Sequence, residues 1–306
     1  MVLIDKFNRT IDLLEIAVSR SCQYGCAHCR TTKDQQDKEL FSTRNILSFI
    51  GLMAKLGLKR VRLIGGEPLL RPDIMELVHG LVSVNPSLSV SLATNGKLLE
   101  SFASELADER LCKIFVTLPT LDPTLFKSIT GHSEIEEIMG NLERAISHNA
   151  LPITIKMALL PGVNDHEIEP MIDWAVDRGL DLYLIETKSP APYPDGAENI
   201  LLNRLQKRYQ MSRITGAAIS NNPWKLEGSE TKIKIITRTG RCECKSCNRM
   251  WLTPDGILSL CHELSFALDL NDLFENNPTE AEIAEFAMKI ALNKPAGIQD
   301  FELTKT

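Results

Sequence analysis

"IDLLEIAVSRSCQYGCAHC", residues 11–29, carries an apolar stretch straight into three cysteines. Residues 11–18 read as a strand, and Cys22, Cys26 and Cys29 follow it as C-x3-C-x2-C. The same alternation continues along the chain. Residues 43–57 read as an amphipathic helix with a cap-like Thr43 and a terminating Gly57, and residues 59–66 as a strand ending in glycines. Helices over 72–84, 98–108, 134–149 and 166–179 then alternate with strands over 88–96, 113–119, 151–162 and 180–187. Six strands and five helices over residues 11–187 imply βα units and a parallel sheet. Periodicity by itself leaves a curved partial barrel and a flat doubly wound sheet open. The conspicuous segments all follow strands: the cysteines, "GGEP" at 65–68, "ATNG" at 93–96, "LPTLDP" at 118–123 and "PGVND" at 161–165. Loops after strands build the active sites of β/α barrels, so these segments are expected to converge.

Composition narrows the function classes. The chain has 306 residues, 43% of them hydrophobic and 24% charged, enough for a full core without staples. Its net charge of −6 gives no global attraction for nucleic acid or an anionic membrane. No apolar run has the length of a membrane span. Residues 1–20 carry Asp5, Asp12 and Glu15 and read as no secretory signal, so a cytoplasmic location is expected. Seven of the eight cysteines fall in two tight groups, with Cys112 apart as a small hydrophobe in or before a strand. Clustered cysteines in that compartment bind metal or do redox chemistry more often than they form disulfides.

After the sixth strand the pattern changes. Residues 189–199, "SPAPYPDGAEN", read as a linker, 232–240 as a strand leading to the second cysteine group, and 279–295 as a final helix ended by Pro295. The expected organisation is therefore a barrel over residues 1–188 and a linker with a C-terminal cluster-binding part over 189–306.

Cysteine thiolates hold iron–sulfur clusters. A four-iron cubane wants four ligands, so three thiols leave one iron open to a small molecule. A zinc site of three cysteines completed by His28 is the alternative on spacing. Glycines in "GGEP" would let the backbone approach a ligand closely, although a plain turn reads the same way. The second group, "CECKSCNRMWLTPDGILSLC", contains Cys244-x2-Cys247-x13-Cys261, with Cys242 just ahead.

Taken together, C-x3-C-x2-C after a first strand and "GGEPLL" at 65–70 resemble the radical S-adenosylmethionine (SAM) superfamily. Within it, "CKSCNRMWLTPDG", "VTLPTLDPTLFKSITG" and "LLPGVNDHEI" resemble the GTP 3′,8-cyclase (MoaA-like) family of molybdenum cofactor biosynthesis, along nearly the whole chain. That resemblance implies an α/β fold: a partial (β/α)6 TIM-like barrel with a C-terminal Fe–S cluster-binding extension. It implies two [4Fe–4S] clusters and SAM as cofactors, and a 5′-deoxyadenosyl radical that abstracts hydrogen from a small-molecule, nucleoside-like substrate. An electron donor such as flavodoxin or ferredoxin is the implied partner. Cys22, Cys26 and Cys29 would hold the SAM cluster, beside His28 in the same motif. Gly65, Gly66 and Glu67 would lie by the methionyl group, and Thr94, Asn95 and Thr117 near its carboxylate or ribose. Cys244, Cys247 and Cys261 would hold the second cluster, whose open iron binds the substrate. Arg249 of "CNR" and the neighbouring Trp251 are the candidate catalytic residues, and Arg60, Arg62 and Arg249 the candidate substrate contacts.

The chain departs from the family where a triphosphate would be held. Glu15 and Trp251 stand where the family has arginines, Thr154 where it has lysine, and Tyr183 where it has arginine, with Lys156 a candidate replacement cation. Replacing Arg by Glu reverses a charge that a triphosphate needs. Trp251 offers a flat apolar face instead. The tail "FELTKT" replaces the family's Gly-Gly, and Cys242 is surplus to a three-cysteine spacing, a spare thiol unless it closes the second cluster. The expectation is a cyclase-like paralogue whose substrate is not GTP held by its triphosphate. The cyclase itself is one alternative, and a non-catalytic metal-binding redox sensor or scaffold another. A peptide-modifying variant would need a docking domain, and none is read ahead of the first strand.

Overall fold

The computed structural model describes residues 3–29, 40–147, 151–187, 197–214, 223–236, 247–261 and 267–295. Six βα repeats open the chain. β1 (Leu13–Ala17) leads to α1 (Thr43–Lys55), β2 (Arg60–Ile64) to α2 (Ile74–Val84), and β3 (Ser89–Thr94) to α3 (Leu99–Asp108). β4 (Lys113–Thr117) is followed by two helices, α4 (Pro123–Thr130) and α5 (Ile135–Ser147). β5 (Ile153–Leu159) leads to α6 (Ile168–Asp177), and β6 (Asp181–Glu186) to α7 (Ala197–Gln206). Short strands follow: β7 (Met211–Arg213), β8 (Trp224–Leu226), β9 (Lys232–Ile236), β10 (Arg249–Leu252), β11 (Ile257–Ser259) and β12 (Ala267–Asp269). α8 (Leu270–Phe274) and α9 (Glu280–Asn293) end the described chain.

All twelve strands form one open sheet in the order β12-β11-β10-β1-β2-β3-β4-β5-β6-β9-β8-β7. The run from β10 to β9 is parallel throughout. One face is wholly apolar. Leu14, Ile16, Val61, Leu63, Val90, Leu92, Ile114, Val116, Ile155, Met157, Leu182 and Leu184 are fully buried there in the core shared with the helices.

The other face is curved around a polar lumen. Strands sit about 4.8 Å apart, so a flat sheet would put β5 about 19 Å from β1. Yet the Lys156 ammonium of β5 feels Glu15 of β1 and Arg249 of β10, and Arg62 of β2 lies 4.9 Å over the Phe115 ring of β4. The sheet is rolled but not closed, a partial TIM-like barrel in an α/β fold.

Local chemistry fixes the ends of the helices. Ser42 rather than Thr43 caps α1, its side chain accepting from Asn45 N at 3.2 Å. The Thr43 hydroxyl instead donates to Asp73 at 2.5 Å. α4 starts on an Asp122 cap with Pro123 in its first turn and ends at Gly131 in the left-handed conformation. Thr279 and Glu282 form a capping box on α9. Among the described residues, no helix is long and apolar enough to cross a membrane.

Candidate active site

The loops after β1, β2 and β3 form one hydrogen-bonded unit. Gly66 N donates to Ser19 O, and Glu67 N to Ser21 O, both at 2.7 Å. A Cβ on Gly66 would sit 2.2 Å from Ser21 O, and one on Gly65 2.4 Å from Ser19 O. The glycines thus let "GGEP" lie directly on the backbone that leads into the first cysteine.

Glu67 joins this pair of loops to the third. Its fully buried carboxylate accepts from Leu69 N at 3.1 Å, the Thr94 hydroxyl at 2.7 Å and Asn95 N at 2.7 Å. Burial pushes its pKa up, and these three hydrogen bonds oppose the rise. Asn95 Nδ2 in turn donates to Cys22 Sγ at 3.7 Å and to Gln23 Oε1 at 3.0 Å. Thr94, Asn95, Gly65, Gly66 and Glu67, five of the sequence-predicted cofactor residues, therefore meet at the cysteine loop. Thr117 ends β4 beside Lys156.

α4, absent from the sequence-based reading, supports the cysteine loop from below. Gly25 N donates to Thr130 O at 3.3 Å and Ala27 N to Ile129 O at 3.0 Å. The Tyr24 ring packs edge-on against Phe126 and tilted against His132. Cys29 N donates to Cys26 O at 2.9 Å, closing a backbone turn between the last two cysteines. Cys22 and Cys26 are half-buried and Cys29 is exposed. Burial raises the Cys22 thiol, with Glu67 and Cys29 adding to it and bonds from Tyr24 N and Asn95 opposing.

Among the described residues no three His, Cys, Asp or Glu side chains are arranged to hold a single metal ion. Thiolates that ligate different irons of one cluster do not need to converge on a point. The loop does fit a further polar group: Gln23 Nε2, the Tyr24 hydroxyl and His28 Nδ1 are buried without a hydrogen-bond partner. Burial also lowers the pKa of His28 and favours its neutral form.

Of the second cysteine group, Cys247 and Cys261 lie toward the other end of β1. Cys242 and Cys244 fall outside the described residues. Cys247 precedes β10, which runs parallel to β1 with Leu13 opposite Arg249. Asn248 holds it there, Nδ2 donating to Asp12 at 2.8 Å. The half-buried Cys261 follows β11, which returns antiparallel along β10. Cys22 follows the far end of β1. A five-residue strand of about 16 Å thus lies between Cys22 at one end and Cys247 and Cys261 at the other. Lys294 was missed by sequence reasoning. It is 1% exposed, and its ammonium donates to Arg249 O at 2.7 Å and Leu260 O at 2.6 Å. Its place at the end of the final helix, next to Pro295, gave no signal that its partners lie on β10 and just after β11.

Glu15, Trp251, Thr154 and Tyr183 face the lumen, whereas Cys242 and the tail "FELTKT" fall outside the described residues. Register aligns Trp251, Glu15 and Arg62 across β10, β1 and β2. Glu15 accepts from Trp251 Nε1 at 2.8 Å and from Arg62 at 2.7 Å. Burial alone would raise its carboxyl. Arg62, Arg249, Lys156 and the Trp251 hydrogen bond outweigh burial and hold it below the ordinary range. Opposite, the Phe115 and Tyr183 rings pack tilted with centroids 5.5 Å apart, with Lys113 5.4 Å over Tyr183 and Lys156 5.3 Å over Phe115. Thr154 is buried beside Phe115. Burial, then Arg62, push the Lys156 ammonium down to about 8, with Glu15 opposing and Arg249 adding. Arg60 is at the lumen's lower rim, paired with Asp12 at 2.6 Å.

The pattern of the radical SAM superfamily matches residues 16–175. The GTP 3′,8-cyclase of Clostridium perfringens strain 13 is 30% identical over 95% of this chain and 93% of its own length. That of Streptomyces coelicolor is 28% identical over 97% of this chain and 91% of its own length. Among solved structures, Streptococcus suis SuiB bound to S-adenosylmethionine superposes with a TM-score of 0.69 at 15% identity, covering 93% of this chain and 73% of that one. In another SuiB structure the matched region spans 62% of that chain. Native anSMEcpe with bound AdoMet gives a TM-score of 0.62 at 15% identity, covering 93% and 81%. These structural likenesses bear on the fold.

Proposed function

Because this chain belongs to the radical SAM superfamily of enzymes, with homology to the GTP 3′,8-cyclases over 95% of its length, we propose that it is a cyclase-like paralogue acting on a less charged substrate than GTP. The superfamily works with SAM and a [4Fe–4S] cluster. In our reading Cys22, Cys26 and Cys29 hold that cluster, and Cys244, Cys247 and Cys261 a second one. A centre of this kind supplies hydrogen-atom abstraction by a SAM-derived carbon radical. The chain's own residues do the rest. The Glu67–Thr94–Asn95 clamp fixes the loops around the first thiols, His28 and Gln23 offer polar atoms to SAM, and the lumen holds substrate between the two cysteine groups away from water. The part over residues 189–306 supplies the lower end of that chamber, and an electron donor of the flavodoxin or ferredoxin kind would reduce the cluster.

The observation that carries the substrate reading is the Glu15 carboxylate, bound to Trp251 and Arg62 in the middle of the lumen. A second reading, GTP 3′,8-cyclase itself, is favoured by the 30% identity and by the retention of Arg62 and Arg249 on the same lumen face.

The deciding experiment supplies GTP deuterated at the 3′ carbon to anaerobically reconstituted, reduced enzyme with SAM. We expect SAM cleavage without deuterium in the 5′-deoxyadenosine. Label transfer well above background would establish the cyclase reading and overturn ours.

A further inference from the structure

We propose that the lumen is built for a substrate with one compact anionic group, a carboxylate or a phosphate monoester, seated between Lys156, Arg62 and Arg249. The proposal deepens the functional reading above and rests on the lumen being the substrate chamber.

The charges on the lumen face give the reason. Arg60 is paired with Asp12 at 2.6 Å, Arg62 with Glu15 at 2.7 Å and Lys113 with Asp181 at 3.3 Å. Each of these cations already has its own carboxylate. Lys156 and Arg249 make no ion pair among the described residues, yet each bears on Glu15. Arg62 Nε is buried with no hydrogen-bond partner, a donor left over beside the Glu15 bond. Two cations and one orphaned donor therefore surround a single shared carboxylate.

A compact anion matches that surplus. A triphosphate brings more charge than two cations answer, and brings it up against Glu15. The aromatic faces complete the description. Arg62 and Lys156 flank the Phe115 ring at 4.9 and 5.3 Å, and Phe115 packs tilted against Tyr183. Apolar or planar parts of the substrate find surface there, beside the charged end.

Anion binding is linked to protonation. The groups around Lys156 are Glu15 from β1, Arg62 from β2, Phe115 from β4, Tyr183 from β6 with Lys113 and Lys234 over its ring, and Arg249 from β10. The ammonium is pushed down to about 8, so it loses its charge in mildly alkaline solution unless an anion holds it.

The test is calorimetric titration of reconstituted holoenzyme with paired probes: guanosine 5′-monophosphate against guanosine, benzoate against benzamide, and GTP. Near neutral pH at least one anionic probe should bind about ten-fold or more tighter than its neutral partner, and GTP no tighter than the monophosphate. Preference for the nucleotide identifies a phosphate monoester, and preference for benzoate a carboxylate. One pH unit above about 8 the preference should fall by about ten-fold. It should vanish in Lys156→Gln and persist without that pH dependence in Lys156→Arg, both checked for folding by circular dichroism. GTP binding about ten-fold tighter than the monophosphate, an undiminished preference in Lys156→Gln, or no binding of any probe overturns the proposal. Reductive SAM cleavage by the same preparation separates the failures. Cleavage without anion preference sinks this proposal alone, whereas absent cleavage sinks the functional reading beneath it.

Discussion

Trp251 and Glu15 lie directly opposite each other on β10 and β1, and the indole Nε1 donates to the carboxylate at 2.8 Å. Arg62 takes the other oxygen at 2.7 Å. Two residues read separately in the sequence are thus one interaction. A carboxylate placed among lumen cations needs donors on both oxygens, and tryptophan supplies one without adding positive charge.

Glu15→Gln should therefore act in two directions. Removing the negative charge from beside Arg62 and Arg249 should strengthen GTP binding by about ten-fold or more. The amide cannot accept on both sides, so one donor is left unpaired, at a cost of about 1–3 kcal/mol. The pH sign follows from the lowered carboxyl. Its contribution is present above the ordinary value of 4.5 and lost as pH falls through the lower folded value. Urea unfolding should show the wild type losing its advantage over the variant in acid. An advantage that persists there would refute this assignment.

Gly66→Ala tests the packing of the loops. Its Cβ would meet Ser21 O at 2.2 Å and Arg20 O at 2.5 Å, both backbone atoms with no rotamer to yield. The "GGEP" segment must then lift off the cysteine loop and break the Gly66–Ser19 and Glu67–Ser21 hydrogen bonds. We expect a loss of about 2–4 kcal/mol in unfolding free energy. Iron analysis after reconstitution should show the first cluster depleted. Full iron content with unchanged stability would mean the loops do not act as one unit.

The contrast between these two sites explains what was legible. The βα rhythm and the loops after each strand can be read from runs of ten or so residues, because burial of one strand face and capping of each helix are local demands. α4 was overlooked because its eight residues bury little beyond Phe126, Ile129 and Thr130 and sit inside a segment read as a loop. β10 was overlooked because four residues carry no period, and its partner β1 lies more than two hundred residues away, as the 236-residue separation of Trp251 and Glu15 measures. Their register, not their composition, turns Glu15, Trp251 and Arg62 into a site.

Lys294 illustrates the same point at the second cysteine group. Its ammonium holds the carbonyls of Arg249 on β10, which follows Cys247, and of Leu260, between β11 and Cys261. Lys294→Met keeps the stem and removes the donor. Two buried carbonyls then lose their partner, and stability should fall by about 2–4 kcal/mol. Iron bound by the second group should fall more than iron bound by the first, read by comparing the variant with Cys22→Ala and Cys261→Ala proteins. Equal loss from both groups would show a general unfolding effect rather than anchoring of the β10–β11 hairpin.

Lys156 gives a pH dependence of the same sign as Glu15, in alkaline rather than acidic solution, because its charged form is penalised in the fold rather than favoured. Its folded pKa of about 8 lies below the ordinary 10.5, so the folded protein releases this proton first. Between those values the unfolded chain holds more protons, and stability gains a contribution that rises with pH. Below about 8 the ammonium is charged in both states, and its cost in the folded state is fully present. Lys156→Met keeps the apolar stem over Phe115 and removes the charge. The variant should be more stable than the wild type near neutral pH, on the order of 1–2 kcal/mol after discounting for partial exposure. The difference should shrink as pH rises from about 8 toward 10.5, read by urea unfolding of both proteins in parallel. A difference independent of pH would place the ammonium outside the lumen's cation cluster. A shrinking one would tie the chamber's preference for anions to a cost the empty fold already carries.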